Sequence, residues 1–212
     1  RMVSSLAHQI RTPLSSAMLY GANLATPNLS TEAKRNFQNK LMSRLQDLES
    51  QVNDMLLFAK SGKDQLVQAM SINSLIEEVS QGMEGLITKA NAQLDVEFCH
   101  DDCQILGNKN ALSGAIQNLV QNSLQAISSG AKISIRTKCQ QENVYINVKD
   151  NGKGIDDELA EKIFEPFYTS KINGTGLGLA VVKSVVKSHH GDIKLLKPSK
   201  NSAKHHYEQG NE

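Results

Sequence analysis

Residues 144–154 read VYINVKDNGKG, a stretch in which apolar and polar side chains alternate before a glycine-containing turn. The alternation predicts a strand whose Val144, Ile146 and Val148 share one face, with Asp150 continuing that face towards the apolar interior. A buried carboxylate needs a polar partner, and the turn would let a flat ligand approach the backbone. An amino-bearing purine would satisfy both features. The plainer interpretation is an aspartate that simply opens a turn.

The segments around this strand alternate between helical and extended patterns from about residue 67 onward. We predict helices at 74–90, 109–128 and 176–189, and strands at 94–99, 132–138, 144–149 and 192–196. Strands that are paired by a short connection and flanked by helices indicate an α+β sandwich.

The first 60 residues carry a different pattern, in which apolar residues recur at alternating spacings of three and four. One series runs from Val3 to Leu24 and another from Phe37 to Ala59, with turn-forming residues at 26–30 between them. Such seams predict two helices that form a hairpin. Because each hairpin has a long apolar stripe to bury, we expect two hairpins to form a four-helix bundle in a homodimer.

Length and composition fit this two-part organisation. The 212 residues suffice for two small domains, which we place at 1–67 and 68–212. The 23 basic residues nearly cancel the 22 acidic ones, and no dense basic run is interleaved with aromatics, so we expect no nucleic-acid partner. No apolar run approaches the roughly 18 to 20 residues that cross a bilayer, so we expect a cytoplasmic fragment without membrane contact. Because it begins in mid-pattern, we also expect its upstream input region to be absent from this sequence.

The chain has three cysteines, Cys99, Cys103 and Cys139, which cannot all pair with one another. This favours a reducing compartment over a disulfide framework. Cys99, His100 and Cys103 could be imagined as metal ligands, but a fourth ligand at zinc-like spacing is missing. Ordinary thiols are the favoured interpretation.

The first helix carries a histidine outside its apolar seam. His8 falls two residues past Leu6 of the seam, on the outward face, and Thr12 lies one turn further on the same face. The plainer interpretation is a solvated histidine, with Thr12 capping a helix that starts at Pro13. The motifs further along the chain favour a functional histidine.

The helix expected at 109–128 carries a polar stripe, formed by Asn118, Asn122 and Gln125 at helical spacing. Carboxamide oxygens on one ridge can bind Mg²⁺ or its waters beside substrate phosphates. A solvated polar face is the alternative.

A second glycine-rich segment, GTGLG at 174–178, leads into an apolar-periodic helix. Its glycines would let backbone N–H groups and a helix N-terminus meet phosphate oxygens. It does not follow a strand in a βαβ unit, so a Rossmann dinucleotide site is disfavoured. Upstream of it, Phe164 and Phe167 could hold a mobile lid in place or simply fill a small core. Lys171 could reach a phosphate.

The order of these motifs resembles that of sensor histidine kinases. HQIRTPL at 8–14 resembles their phosphoacceptor box, and NLVQN at 118–122 resembles their asparagine box. DNGKG at 150–154, the phenylalanine box at 163–171 and the GTGLG segment resemble the other three motifs. The short lid, with Thr169-Ser170-Lys171, and the NSLQA sequence that starts at Asn122 are most similar to the nitrogen-regulation and flagellar-regulation kinases, which act on activators of σ54 promoters.

The resemblance implies a dimerisation and histidine phosphotransfer domain, followed by a catalytic ATP-binding domain of the gyrase, Hsp90, kinase and MutL type. With ATP and Mg²⁺ as cofactors, the γ-phosphoryl group would pass to His8 and then to an aspartate on a response-regulator receiver domain. Thr12 would position water for dephosphorylating that receiver. Asp150 would bind the adenine amine and Asn122 the Mg²⁺. The nucleotide-binding residues implied in this way are Asn118, Asn122, Asp150, Gly152, Gly154, Lys171, Gly174, Thr175, Gly176, Leu177 and Gly178.

The chain departs from the family pattern at three places. Gln9 stands where many relatives have an acid that orients the histidine and draws off its proton. Asn108 replaces a frequent aspartate, and the usual Gly-Thr-aromatic final strand is missing, so we expect the sandwich to end early or differently. Two other functions stay open: a dimeric scaffold without autokinase activity that holds ATP or only dephosphorylates its receiver, which Gln9 keeps open, and an ATPase-driven clamp, which the histidine-bearing hairpin disfavours.

Overall fold

A computed structural model describes residues 2–60, 67–171 and 174–196, which form a helical hairpin and an α+β unit. The hairpin consists of α1 (Met2–Leu24) and α2 (Thr31–Lys60). The α+β unit consists of β1 (Gln68–Ser71), α3 (Ile72–Lys89), β2 (Gln93–Glu97), β3 (Gln104–Gly107), α4 (Lys109–Ala126), β4 (Lys132–Gln140), β5 (Asn143–Asp150) and α5 (Gly178–Ser188), with single 3₁₀ turns at Asp157–Leu159 and Lys162–Phe164. The fold class predicted from the sequence is confirmed.

The hairpin packs along only part of the predicted seams, since two seam residues of α2, Leu45 and Val52, are exposed. Pro13 and Ala17 are buried on α1, and the rings of Tyr20 and Phe37 lie 6.4 Å apart near the turn. Ser30 caps α2, because its hydroxyl oxygen accepts a hydrogen bond from the N–H of Ala33 at 3.1 Å. Pro13 lies inside α1, so the alternative in which a helix starts at that proline is wrong.

The α+β unit is built on a three-stranded sheet in the order β2-β4-β5. Strands β2 and β4 are parallel, β4 and β5 are antiparallel, and β1 pairs with β3 in a separate antiparallel ribbon. Helices α3, α4 and α5 bury their apolar sides in one core with the inward residues of β4, among them Ile133 and Ile135. This arrangement places the C-terminal end of β5 beside α4.

The predicted alternation of β5 is confirmed. Val144, Ile146 and Val148 are partly buried against the core, and Asp150 is half-buried on the same face. The intervening residues are exposed. The strand therefore delivers a carboxylate to the edge of the core, as the alternation predicts.

The predicted strand at 192–196 is wrong, and two observed strands were not predicted. Residues 192–196 form no strand, because only Ile193 packs against the core while Leu196 is 68% exposed. Strands β1 and β3 are only four residues long, and each is defined by pairing with the other rather than by a local apolar pattern. Within the described residues, β5 is the last strand along the chain.

Candidate nucleotide-binding site and phosphoacceptor helix

Asp150 is held between α4 and the turn that follows β5. Its Oδ2 accepts a hydrogen bond from the hydroxyl of Ser123 at 2.8 Å, and its Oδ1 accepts one from the N–H of Gly152 at 2.8 Å. Ser123 is buried, and sequence analysis missed it. It lies three residues after Val120 on the apolar face of α4, where a lone hydroxyl indicates a buried polar partner.

The turn after Asp150 keeps space open beside the carboxylate. A Cβ added to Gly152 would lie 2.8 Å from the Asp150 Oδ1, and Gly154 has a φ of +78°. Asn151 anchors the turn, because its Oδ1 accepts a hydrogen bond from the N–H of Lys132 at 2.8 Å. The two glycines therefore occupy positions that side chains would block or strain.

The polar stripe on α4 already binds a cation in this structure. The ammonium of Lys171 donates hydrogen bonds to Asn122 Oδ1 at 3.0 Å and to Gln125 Oε1 at 2.6 Å. Loss of water around the ammonium lowers the pKa of Lys171 from its ordinary value. Two carboxamide oxygens that converge on one cation are ligands of the kind that a hard ion such as Mg²⁺ prefers. These residues therefore fit the predicted metal.

The glycine-rich segment lies against the same stripe. A Cβ on Gly178, the first residue of α5, would lie 3.6 Å from the Asn122 amide nitrogen and 3.9 Å from Asn118 Oδ1. Thr175 Oγ1 accepts a hydrogen bond from the N–H of Leu177, whose side chain is buried. The start of α5 therefore lies within van der Waals contact of the polar stripe on α4.

Residues 163–171, which we call the lid segment, are joined to the glycine-rich segment through backbone contacts. The N–H of Phe167 donates a hydrogen bond to the carbonyl of Gly176 at 2.9 Å. Gly176 has a φ of +66°, and a Cβ there would collide with the backbone of Phe167. The N–H of Gly174 donates to the carbonyl of Lys171 at 3.2 Å. Phe164 is partly buried, and its ring lies 5.8 Å from the ammonium of Lys183 on α5.

The motif that resembles a phosphoacceptor box lies on α1. The helix runs without interruption through His8, Gln9 and Thr12, but the side chains of His8 and Gln9 lie outside the described residues. Thr12 is exposed. A separation of four residues corresponds to about one helical turn, so His8 and Thr12 occupy the same side of α1.

Asn108 acts as the N-cap of α4. Its side-chain oxygen accepts a hydrogen bond from the N–H of Ala111 at 2.8 Å, which is the interaction that an aspartate would supply. Its own N–H donates to Nε2 of His189 at 2.9 Å, while Nδ1 of His189 lies 2.7 Å from the carbonyl of Val185. This departure from the family motif therefore preserves the start of the asparagine helix.

No helix in the described ranges has the length and apolar character that a membrane crossing requires. Residues 1–64 match the His Kinase A (phospho-acceptor) domain, and residues 107–211 match the domain described as the histidine kinase-, DNA gyrase B- and HSP90-like ATPase. These matches, together with the described fold, define the class of ATP-dependent histidine kinases. The chain belongs to the histidine kinase family.

Individual relatives sharpen this assignment. The chain is 37% identical to the sensor protein kinase FleS of Pseudomonas aeruginosa over 195 residues, which are 92% of this chain and 48% of FleS. It is 32% identical to the sensor histidine kinase CpxA of Escherichia coli over 202 residues, which are 92% of this chain and 43% of CpxA. The chain thus spans about half the length of these relatives.

Two solved structures match the chain over different lengths. The catalytic domain of histidine kinase ThkA is 32% identical, with a TM-score of 0.55 over 59% of this chain and 82% of that chain. ThkA in complex with the response regulator protein TrrA is 26% identical, with a TM-score of 0.65 over 90% of this chain and 55% of that chain. The longer match includes both the hairpin and the α+β unit.

Proposed function

We propose that this chain is the catalytic core of a sensor histidine kinase, which uses Mg-ATP to phosphorylate His8 and passes the phosphoryl group to an aspartate of a response regulator. The observation that carries the proposal is the position of α4 between two sets of ligand-binding groups. Ser123 on α4 contacts Asp150, while Asn118 and Asn122 on the same helix lie against Gly178. One helix thus connects a site for a base with a site for phosphates.

At the base end of this site, the Asp150 carboxylate would accept a hydrogen bond from the adenine amine. Ser123 and the N–H of Gly152 hold the carboxylate in place, and each leaves an oxygen lone pair for a ligand. Gly152 and Gly154 leave room for a flat ring beside it. Asp150, Gly152 and Gly154 are therefore our candidates for recognising the base.

At the phosphate end, the backbone of the glycine-rich segment and the N-terminus of α5 would bind the phosphates, through Gly174, Thr175, Gly176, Leu177 and Gly178. Asn122, with Asn118 nearby, would hold Mg²⁺, which neutralises phosphate charge when bound. Lys171 now donates to the oxygen of Asn122, and release from that contact would leave its ammonium free to bind a phosphate. We therefore expect the lid to rearrange when nucleotide binds.

On α1, a ring nitrogen of His8 would attack the γ-phosphorus as the bond from phosphorus to the ADP oxygen breaks. The attacking nitrogen must carry no proton, and the other ring N–H needs an acceptor as positive charge develops on the ring. Gln9 can accept that hydrogen bond, but it cannot take the proton at neutral pH. Thr12, one turn further along the helix, would position water for dephosphorylating the receiver.

The active form is proposed to be a homodimer, because the hairpin leaves apolar side chains uncovered. Those more than 40% exposed on the two helices are Leu14, Met18, Leu19, Met42, Leu45, Val52 and Leu56. A second hairpin would cover such residues in a four-helix bundle. The phosphotransfer domain would comprise residues 1–67 and the ATP-binding domain 68–212, a division supported by the start of β1 at Gln68.

The partner is proposed to be a response-regulator receiver domain. ThkA has been solved with the response regulator TrrA, and FleS, at 37% identity, is a sensor protein kinase. From the FleS match and the lid motif, we propose a role in flagellar or nitrogen-type σ54-dependent regulation. Because ATP and receiver domains are cytoplasmic, we place this core in the cytoplasm.

Incubation with ATP labelled on its γ-phosphate tests the proposal. We expect label on the protein that is labile in acid and stable in alkali, as a phosphohistidine is, and we expect none in His8→Gln. Label that persists in His8→Gln would contradict the phosphoacceptor assignment. Released phosphate without labelled protein would instead favour the ATPase-driven clamp.

Gln9 favours a second candidate, a dimeric scaffold that binds ATP and only dephosphorylates its receiver. That protein would bind ATP, carry no label, and remove phosphate from a phosphorylated receiver domain. A panel of purified receiver domains, tested for both gain and loss of phosphate, separates the two functions.

A further inference from the structure

Three cysteine sulfurs meet at one end of the sheet. Cys99 follows β2, Cys103 precedes β3 and Cys139 lies near the end of β4. Their three sulfur atoms lie within 4.8 Å of one another, and all three residues are half-buried. The Sγ atoms of Cys99 and Cys139 are 3.2 Å apart, and Cys103 and Cys139 are joined by a disulfide, so the prediction of ordinary thiols is wrong for this pair and holds for Cys99. Sequence spacing did not predict this cluster, because Cys139 comes from a strand 36 residues beyond Cys103.

The cluster is remote from the candidate nucleotide site. Asp150 is paired with Ile133, which precedes Cys139 by six residues on β4. At about 3.3 Å per residue, these positions are about 20 Å apart along the strand. The thiols can therefore be altered without touching the groups proposed to bind ATP.

The loop that carries two of the thiols is fixed by hydrogen bonds to neighbouring elements. The N–H of Cys99 donates to the hydroxyl of Thr137 on β4 at 2.8 Å, and the carbonyl of Cys99 accepts from the Asn73 amide at 3.3 Å. The N–H of Ile72, at the start of α3, donates to the carbonyl of Cys103 at 2.9 Å. A strand and a helix thus hold the thiols in place before any ligand binds.

The surroundings decide which ions fit. The side chains of His100 and Asp101 are fully exposed and lie 3.3 Å from each other. Across the described ranges, no carboxylate, imidazole or further thiol joins the three sulfurs in the cluster. Structural zinc sites are almost always four-coordinate, whereas three soft sulfur ligands satisfy a soft monovalent ion such as Cu(I).

We propose that reduced Cys99, Cys103 and Cys139 form a three-thiolate site for Cu(I). Where Cys103 and Cys139 are joined, a dithiol reductant must first donate two electrons to the sulfur–sulfur bond, which yields two thiols and the oxidised reductant. The three thiols then release their protons to the buffer as three sulfur–copper bonds form, and the copper stays monovalent. Three sulfurs at about 2.3 Å from one ion would lie roughly 4 Å apart, so the Sγ atoms of Cys99 and Cys139, which are 3.2 Å apart, would have to separate only slightly.

Equilibrium titration of the full chain tests the proposal. After reduction and removal of the reductant under anaerobic conditions, the chain is titrated with Cu(I) in competition with a chromophoric Cu(I) chelator. We expect one ion per chain and a thiolate-to-copper charge-transfer band in the ultraviolet. Cys99→Ser should weaken binding by at least about 100-fold, since loss of even a supporting group around a metal site costs about 10-fold to 100-fold.

The matched control is His100→Ala, which removes the exposed imidazole beside Cys99 and should leave copper affinity unchanged. ATP affinity should be unchanged in both variants and reports that each has folded. Cys139→Ser gives a second measurement from a different element. No copper binding by the reduced chain, equal copper binding in Cys99→Ser, or binding of Zn(II) in preference to Cu(I) would overturn the proposal.

Discussion

The hairpin and the α+β unit differ in how completely one chain buries its apolar residues. The α+β unit encloses a core drawn from three helices and the central strand, including Ile76, Val120, Ile135 and Val181, each essentially inaccessible to solvent. The hairpin buries Ala17 in the same way but leaves long apolar side chains of both helices in water. The α+β unit therefore completes its apolar core within one chain, whereas the hairpin needs a partner surface to cover its apolar side chains.

This difference separates nucleotide binding from assembly. Every group that we propose to bind ATP belongs to the α+β unit, whereas the acceptor histidine and the uncovered apolar side chains belong to the hairpin. Variants in one region should therefore leave the property of the other unchanged. The four predictions that follow test this separation, from the largest expected effect to the smallest.

Asn122→Ala should abolish Mg²⁺-dependent phosphorylation of His8 while the dimer persists. Asn122 supplies one of the two oxygens that now bind the Lys171 ammonium, and alanine removes this oxygen from the proposed metal site. Phosphorylation is measured with labelled ATP and the dimer by sedimentation. Gln117→Ala, on the same helix but off the polar stripe, is the control. A monomeric Asn122→Ala, or one with full activity, would contradict the assignment.

Asp150→Asn should weaken ATP binding by about 2 to 4 kcal/mol. The substitution can place an amide donor against the adenine amine, which is also a donor, in a half-buried site. It also disturbs the contacts with Ser123 and Gly152. Calorimetry measures the affinity, and Asp156→Asn, an exposed aspartate just beyond the turn, should bind ATP normally. Equal affinity in Asp150→Asn would refute the adenine role.

The two predictions for the α+β unit rest on local patterns, which the sequence shows, and on long-range contacts, which it does not show. The strand at 144–150 and the polar stripe of α4 could be predicted because each is a local repeat with a single period. The partner of Asp150 could not, since Ser123 is 27 residues away and only folding brings the two together. The same holds for Lys171, which reaches Asn122 from 49 residues further along the chain.

The strand predicted at 192–196 is wrong because a long-range neighbour is missing. Its apolar residues resemble a strand locally, but Leu195 and Leu196 find no apolar surface to cover them. The alternation that succeeds at β5 succeeds because β4 pairs with it along its whole length. A local pattern thus specifies a strand only when the fold supplies its neighbour.

Leu45→Asp should weaken the dimer by about 2 kcal/mol, a factor of about 30, because it buries a carboxylate in the proposed interface between hairpins. Leu45 is 44% exposed in the single chain, so the monomer itself should tolerate the change. Sedimentation over a range of concentrations measures the dissociation constant. Gln46→Asp adds the same charge at the next residue of α2 and should have a smaller effect. A change in ATP affinity in Leu45→Asp would break the proposed separation of the two regions.

Gln9→Glu tests whether the hairpin lacks a base. A positioned base typically contributes about 100-fold to 10,000-fold in rate, and an orienting amide supplies only part of that. We therefore expect slow phosphorylation of His8 in the natural sequence and a rise of about tenfold or more in Gln9→Glu if proton removal limits the reaction. Single-turnover rates at saturating ATP exclude any contribution from nucleotide affinity.

Gln38→Glu is the control for this experiment, because it adds the same charge at an exposed position of α2 and should leave the rate unchanged. ATP affinity should be equal in all three proteins, since the substitutions lie in the hairpin and the nucleotide groups lie in the α+β unit. A rate in Gln9→Glu that equals or falls below that of the natural sequence would show that the glutamine already orients His8 sufficiently. The base would then have to be sought in the α+β unit, and the two regions would share the chemistry rather than divide it.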